Sequence, residues 1–183
     1  NVIGVTGPTG VGKTTLIKDG LAKALGRPFY FISLGGSSYS SFLNGHGYTY
    51  EGSTFGEITR GLIDSECMDP VFYFDELDKV STDSRGEEII HALIHLTDPV
   101  QNTSFTDRYF AGVPLDVSKA LFVFSYNHRE KVNPILRDRI HEIVLDDFSK
   151  PEKVQIATQH VIPRICSGMG VHETELFVFD DDA

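Results

Sequence analysis

Basic residues are in short supply in this chain, and cysteine is scarcer still. Sixteen Lys and Arg stand against 26 Asp and Glu in 183 residues, a formal net charge of -10. That sign is wrong for a domain whose binding energy would come from neutralising nucleic-acid phosphates. Only a local basic patch could reverse it, and no basic run is visible. The two cysteines, Cys67 and Cys166, lie far apart and match no metal or redox spacing, so free thiols in a reducing, intracellular compartment are expected. No apolar stretch approaches the length that spans a bilayer. The chain opens on a core-like strand where a targeting segment would otherwise stand, so its start is expected to be a cut. Its length suits one sizeable α/β core with part of a smaller second unit.

What is present begins at Gly7. Gly7, Pro8, Thr9, Gly10, Val11, Gly12, Lys13 and Thr14, followed by Thr15, fit G-x-x-x-x-G-K-[ST]. The motif lies between a β-branched apolar run, Val2 to Thr6, and a helix-like run, Lys13 to Leu25, which is the context a phosphate-binding loop requires. Backbone N–H groups turned inward by Gly10 and Gly12 can cradle nucleotide phosphates, and the positive helix end favours their charge. Lys13 would reach the β and γ phosphates, and Thr14 would offer its hydroxyl to Mg²⁺. A Gly-rich turn that merely caps a helix is the plainer reading, and it ranks far below nucleotide binding.

Further along, Phe29 to Leu34, Pro70 to Glu76, Ala120 to Tyr126 and His141 to Leu145 read as strands. Helices are expected from Thr54, with Glu57 closing a capping box, to Glu66, and from Glu87 to Thr97. A short one is expected from Pro134 to Arg139, and another from Lys150 to Val161, opened by a Ser149–Glu152 capping box and ended by Pro163. The polar, aromatic stretch from Ser37 to Ser53 is too long for a turn and reads as a functional loop. The segment leading to Asp116 reads as an irregular or hairpin-like excursion. Strands alternating with helices at this spacing predict an α/β fold with a doubly wound, mainly parallel sheet.

Two acids end the third strand. With a phosphate loop upstream, Asp75 would serve Mg²⁺, and Glu76 would orient and deprotonate an attacking water. A solvated strand end is the competing explanation, at roughly one part in five on motif context. Asn127, ending the fourth strand, could hold the water and sense the γ-phosphate; alone it would be a turn-forming Asn. Arg137 and Arg139 precede the fifth strand, where a guanidinium could reach a neighbouring subunit's nucleotide or simply pair with Asp138. These two uses weigh about equally. His91 and His95 have metal-binding spacing but no Glu between them as in H-E-x-x-H, so they read as ordinary helix-face histidines.

GPTGVGKT, FDELDK, SYN and LRDR, in this order, resemble an AAA+ ATPase module. The intervening segments resemble the Lon protease family: Gly26-Arg27-Pro28-Phe29, Ser33-Leu34-Gly35-Gly36, Gly45-His46, Thr49-Tyr50-Glu51-Gly52, Leu96-Thr97-Asp98-Pro99-Val100-Gln101-Asn102 and Pro114-Leu115-Asp116-Val117-Ser118. The likeness runs to His160-Val161-Ile162-Pro163. It implies a P-loop AAA+ core with five strands in the order 5-1-4-3-2, residues 1–147 forming the large subdomain and 148–183 the beginning of a small helical lid. It implies ATP and Mg²⁺ as ligands, and a homohexamer that threads protein substrates through a central pore, with neither nucleic acid nor membrane as the primary partner. A cytoplasmic or organellar setting, such as the mitochondrial matrix, follows from the same likeness.

In the family's terms Lys13, Glu76, Asn127 and Arg139 are catalytic, with Arg139 the finger when LRDR is aligned on Asp138. Tyr50 and Glu51 fall on the first pore loop's aromatic-aliphatic pair, and the acid at Glu51 departs from it. The second pore loop falls within Lys79 to Arg85. No Ser-Lys proteolytic dyad can be assigned, and the sensor-2 arginine and the segment that helps enclose adenine are expected outside this chain. A nucleic-acid motor or clamp-loader-like ATPase shares the phosphate chemistry but should carry basic residues facing DNA. A nucleotide-gated chaperone or assembly module would bind ATP with negligible turnover.

Overall fold

Five short apolar runs meet in one parallel sheet. The computed structural model describes residues 2–35, 41–47, 49 and 52–170. The chain falls into two units, Asn1–Asp146 and Asp147–Ala183. In chain order the first contains β1 (Val2–Thr6), α1 (13–25), β2 (Phe29–Ser33), α2 (Ser41–Asn44), α3 (Glu57–Ser65), β3 (Val71–Asp75), α4 (Ser84–Thr97), β4 (Phe105–Thr106), β5 (Pro114–Leu115), β6 (Leu121–Tyr126), α5 (Pro134–Arg137) and β7 (His141–Val144). The described part of the second unit is a helix, α6 (150–168).

The sheet order is β2-β3-β6-β1-β7, with every pairing parallel. Leaving out the two-residue β4 and β5, the strands counted along the chain read 5-1-4-3-2 from the β7 edge, the expected order. Parallel pairing brings all the carboxyl ends to one edge. Thr6 stands beside Tyr126, and Ser33 beside Asp75. The segments that follow those strands, starting at Gly7, Glu76 and Asn127, therefore emerge together.

Alternation along the strands divides the core. Phe72, Phe74, Phe122 and Phe124 turn to one face, where Phe72 stacks on Phe122 at 5.9 Å and Phe74 on Phe124 at 4.9 Å. Val71, Tyr73 and Val123 turn to the other, against Val5 and the α1 residues Ile17 and Ala22. A fully buried Phe contributes about 2–3 kcal/mol against roughly 1 kcal/mol for a typical hydrogen bond. The stacked pairs thus hold β3 against β6, and the polar groups at their ends inherit that alignment.

Several boundaries differ from expectation. The Thr54–Glu57 capping box does not form: α3 starts after Gly56, and no side chain of its own caps it. Instead buried Asp107, near the β4–β5 ladder, accepts from the Gly56 N–H at 2.8 Å and the Thr59 hydroxyl at 2.6 Å, and from the Tyr109 N–H at 2.8 Å. Bonds to a buried carboxylate outweigh an exposed capping box, and Glu57 is left to accept from the Tyr30 hydroxyl at 2.8 Å. Helix α4 starts three residues early because Asp83 caps it through the Arg85 and Gly86 N–H groups.

Pro163 does not end α6. The turn before it, Ala157–Val161, is π-wound, and the helix resumes at Ile162 with the proline in its first turn and runs to Gly168. The shifted register spares the proline the lost bond and ring clash it would cause in an ordinary interior. Helix α1 is likewise π-wound over Leu16–Ala22 and ends at Gly26, whose φ of 64° is left-handed. The Ser149–Glu152 capping box forms as expected. Segment 99–116 is the hairpin-like excursion anticipated, with Phe105 paired to Leu115 and Thr106 to Pro114. Among the described residues no helix is long and apolar enough to cross a membrane, and Cys67 and Cys166 are unpaired.

Candidate nucleotide site

The loop after β1 wraps one side of a cleft of about 320 Å³. Val11 is buried beneath it as an apolar anchor. Gly10 and Gly12 have φ of 85° and 81°, and a Cβ on either would meet nothing within 4 Å. Glycine is needed here for the left-handed turn, not for want of room. The cleft, lined here by the glycine loop and the start of α1, fits a chain of phosphates.

Thr9, Gly10, Gly12, Lys13, Thr14 and Thr15 line the cleft on the loop side. Asp75, Glu76, Asp78, Ser125, Tyr126 and Asn127 line it from the ends of β3 and β6. Lys13, Thr14, Asp75, Glu76 and Asn127, chosen from three separate stretches of sequence, are thus brought together. The Lys13 ammonium donates to the carbonyls of Gly7 at 2.8 Å and Pro8 at 2.9 Å, and to Asn127 Oδ1 at 2.6 Å. Burial pulls its pKa below the ordinary lysine value, while the carboxylates of Asp75 and Asp78 act in the opposite sense.

Glu76 has a left-handed backbone, φ 62°, which is uncommon for a residue with a Cβ and is typical of functional turns. Its Oε1 pairs with Lys79 Nζ at 2.5 Å, and that contact raises the Lys79 pKa. The Glu76 carboxylate also lies against the backbone of Gly35, occupying the place a Cβ there would need. Thr14 Oγ1 is 3.1 Å from the Tyr73 hydroxyl, and Ser125 donates to Asp75. Desolvation is the largest influence on the Tyr73 phenol and raises its pKa. The Thr14 hydroxyl and the Asp75 carboxylate, lining the same cleft, are hard oxygen donors of the kind Mg²⁺ accepts beside phosphate and water, so the residues present fit that ion. Among the described residues no group of three or more His, Cys, Asp or Glu gathers to hold a metal unaided.

Not every expected site residue reaches the cleft. Arg139 lies outside its lining and donates to Asp98 Oδ2 at 2.9 Å, which, with the Val100 and Gln101 N–H groups, holds the Asp98 carboxyl below the usual carboxylate range. Arg137 donates to the Arg129 carbonyl at 3.3 Å instead of pairing with Asp138. Tyr50 and Glu51 lie outside the described residues. The His46 N–H bonds to the Thr54 carbonyl at 3.0 Å.

Three contributors had no role assigned from sequence. Asp78 is buried, and its Oδ2 accepts from the N–H groups of Asn127 at 3.3 Å and His128 at 3.0 Å, carrying the turn that presents Asn127; its buried Oδ1 has no partner among the described residues. The acid was visible within FDELDK, but its partner could not be. Tyr73 and Ser125 were absorbed into apolar strand runs, where a lone hydroxyl carries little signal.

Residues 3–147 match the family described as the ATPase family associated with various cellular activities (AAA). Over 181 residues, 98% of the chain and 18% of the relative, the sequence is 46% identical to a Lon protease homolog of Acanthamoeba polyphaga mimivirus. It is 43% identical to the Lon protease of Koribacter versatilis (strain Ellin345) over 178 residues, covering 97% of the chain and 21% of the relative. For the Lon protease of Dictyoglomus thermophilum the identity is 42% over 177 residues, covering 97% and 22%. The chain spans about a fifth of the length of these curated relatives.

Proposed function

Since the chain belongs to the AAA ATPase family, we propose that it is the ATP-binding and ATP-hydrolysing core of a Lon-like protease, powering the unfolding and threading of protein substrates through a hexameric ring. The observation that carries the site assignment is the convergence of Lys13, Thr14, Asp75, Glu76 and Asn127 on one cleft. Lys13 takes the β and γ phosphates of ATP, and the loop from Gly7 to Thr15 embraces them with the backbone N–H groups of its residues other than Pro8. Thr14 and Asp75 hold Mg²⁺, which supplies charge neutralisation across the phosphate oxygens. Glu76 orients the attacking water and takes its proton. Asn127, at the end of β6, senses whether the γ-phosphate is present.

Arg139 acts on the nucleotide of a neighbouring subunit. Its bond to Asp98 is compatible with this, since a part-exposed ion pair is weak and a phosphoryl group is the stronger bidentate acceptor. Residues 1–147 form the ATPase subdomain, and 148–183 begin the small lid. The peptidase site lies outside this chain. The likeness to bacterial Lon proteases favours a cytoplasmic setting.

Tyr50 and Glu51 grip the polypeptide. On this reading Tyr50→Ala in the full-length protein keeps basal ATPase and loses substrate-stimulated unfolding. Unfolding of a tagged, folded protein at the wild-type rate would remove Tyr50 from the pore. Stimulation by DNA in place of protein would instead assign the chain to a nucleic-acid motor.

A further inference from the structure

The acid in FDELDK that neither cation binding nor water activation uses is Asp78. It sits just after β3 in the 3₁₀ turn Leu77–Lys79, which is closed by the Lys79 N–H on the Glu76 carbonyl at 3.0 Å and anchored by buried Leu77. Asp78 is only 8% exposed, and its hydrogen-bond partners among the described residues are two backbone N–H groups. Both bonds fall on Oδ2. Oδ1, equally buried, has no partner among the described residues. Holding a carboxylate out of water on these terms is costly, and a position that served packing alone would carry an apolar side chain.

The two N–H groups belong to Asn127 at 3.3 Å and His128 at 3.0 Å, the first residues past β6. The parallel ladder has ended there, at Tyr126 on the β1 side and Phe124 on the β3 side, and Asp78 takes over as acceptor. From this turn the Asn127 side chain reaches the phosphate loop, where its Oδ1 accepts from Lys13 Nζ at 2.6 Å. The contacts run Asp78, Asn127, Lys13. Every donor along them is fixed by chemistry, because a backbone N–H and an ammonium only donate and a carboxylate only accepts. Asp78 thus holds the backbone of the residue whose amide meets the phosphate-binding lysine.

We propose that Asp78 is a positioning residue for Asn127: by accepting from the Asn127 and His128 N–H groups, it fixes the turn from which the Asn127 amide meets the γ-phosphate. This rests on the reading of Asn127 as the group that senses that phosphate. The competing account is electrostatic, since Asp78 also lines the cleft: burial lowers the Lys13 pKa, and the Asp75 and Asp78 carboxylates oppose it. A charge felt by Lys13 is felt by phosphates too. The two effects have opposite signs. Removing a negative charge from the cleft favours ATP at least as much as ADP, because ATP carries the larger negative charge. Loosening the Asn127 turn costs ATP alone, because ADP has no γ-phosphate for the amide to meet.

The test is Asp78→Asn in the full-length protein, with Kd measured by calorimetry in MgCl₂ for ADP and for a non-hydrolysable ATP analogue. Asparagine keeps the size and one acceptor oxygen but loses the charge-assisted strength of the two bonds. The preference for the triphosphate, Kd for ADP over Kd for the analogue, should fall about threefold, the size of weakened hydrogen bonds. Asn127→Ala, which removes the amide itself, should lower it about tenfold. Added to Asn127→Ala, Asp78→Asn should change it no further. Asp78→Ser, whose shorter side chain reaches the turn poorly, should lower the preference at least as far as Asp78→Asn and stands in for it should that variant not fold. A preference unchanged or raised by the Asp78 substitutions, with Asn127→Ala lowering it, overturns the positioning role and leaves the sensing role standing; equal weakening of both nucleotides is this outcome. A further fall in the double variant would show Asp78 acting apart from Asn127 and would overturn the proposal as well. If Asn127→Ala leaves the preference where it was, the sensing role fails and the proposal falls with it.

Discussion

Lys13→Ala is expected to weaken ATP binding by at least about a hundredfold in Kd, the equivalent of roughly 3 kcal/mol, which at ordinary concentrations amounts to loss of binding by isothermal titration. Two charge-assisted contacts to phosphate oxygens would together exceed that figure, at about 1.5–3 kcal/mol each. Part of it is offset, because the ammonium has the Gly7 and Pro8 carbonyls and Asn127 Oδ1 as partners within the chain itself. ATP must replace three contacts before it gains any. The exchange still favours ATP, since the acceptors given up are neutral and those gained are anionic. Burial, which pulls the Lys13 pKa down, sharpens this: a partly desolvated cation gains most from an anion. Affinity within about threefold of wild type in Lys13→Ala would show that the loop's backbone alone holds the phosphates, and Lys13 would lose its role.

Glu76→Gln should leave ATP affinity close to wild type and lower turnover by about 10²–10⁴-fold, the usual contribution of a general base. The amide keeps the size and one acceptor oxygen but cannot take a proton from water. The geometry adds a second element. The carboxylate is paired with Lys79 at 2.5 Å and rests on Gly35, and a left-handed backbone presents it. Lys79 opens the segment assigned to the second pore loop, so the group proposed to activate water is tethered to a stretch assigned to substrate. Phosphate release at the wild-type rate in Glu76→Gln would sink the assignment of the base. Loss of ATP affinity to the same degree as loss of turnover would show that the substitution disturbs the cleft and not the chemistry.

Most of the frame was legible because it is local. Val2 to Thr6, the P-loop and the helix after it are fixed by adjacent residues, and the order of the five sheet strands emerged with β6 and β7 where the fourth and fifth runs were read. Where the local reading failed, either a distant group or a change of helix winding overrode the pattern. Thr54 and Glu57 form a capping pattern, yet Asp107, some fifty residues on, takes the Gly56 N–H and moves the helix start. Pro163 reads as a stop, yet π-winding before it lets the helix continue.

The same limit applies to the site. Lys13, Thr14, Asp75 and Glu76 were legible because their motifs carry a spacing. Asp78, Tyr73 and Ser125 matter only through partners on other strands: Asp78 through the Asn127 turn, and Tyr73 and Ser125 through Thr14 and Asp75. Arg137 and Arg139 could not be separated by sequence. In the chain itself they take different partners, a carbonyl for Arg137 and the Asp98 carboxylate for Arg139.

The most direct test is a structure of the Glu76→Gln protein with ATP and Mg²⁺. The account predicts the triphosphate within the Gly7 to Thr14 loop, Lys13 transferred from the Gly7 and Pro8 carbonyls to phosphate oxygens, and Thr14 facing the metal. A nucleotide bound elsewhere, with Lys13 still held by Gly7, Pro8 and Asn127, would contradict it.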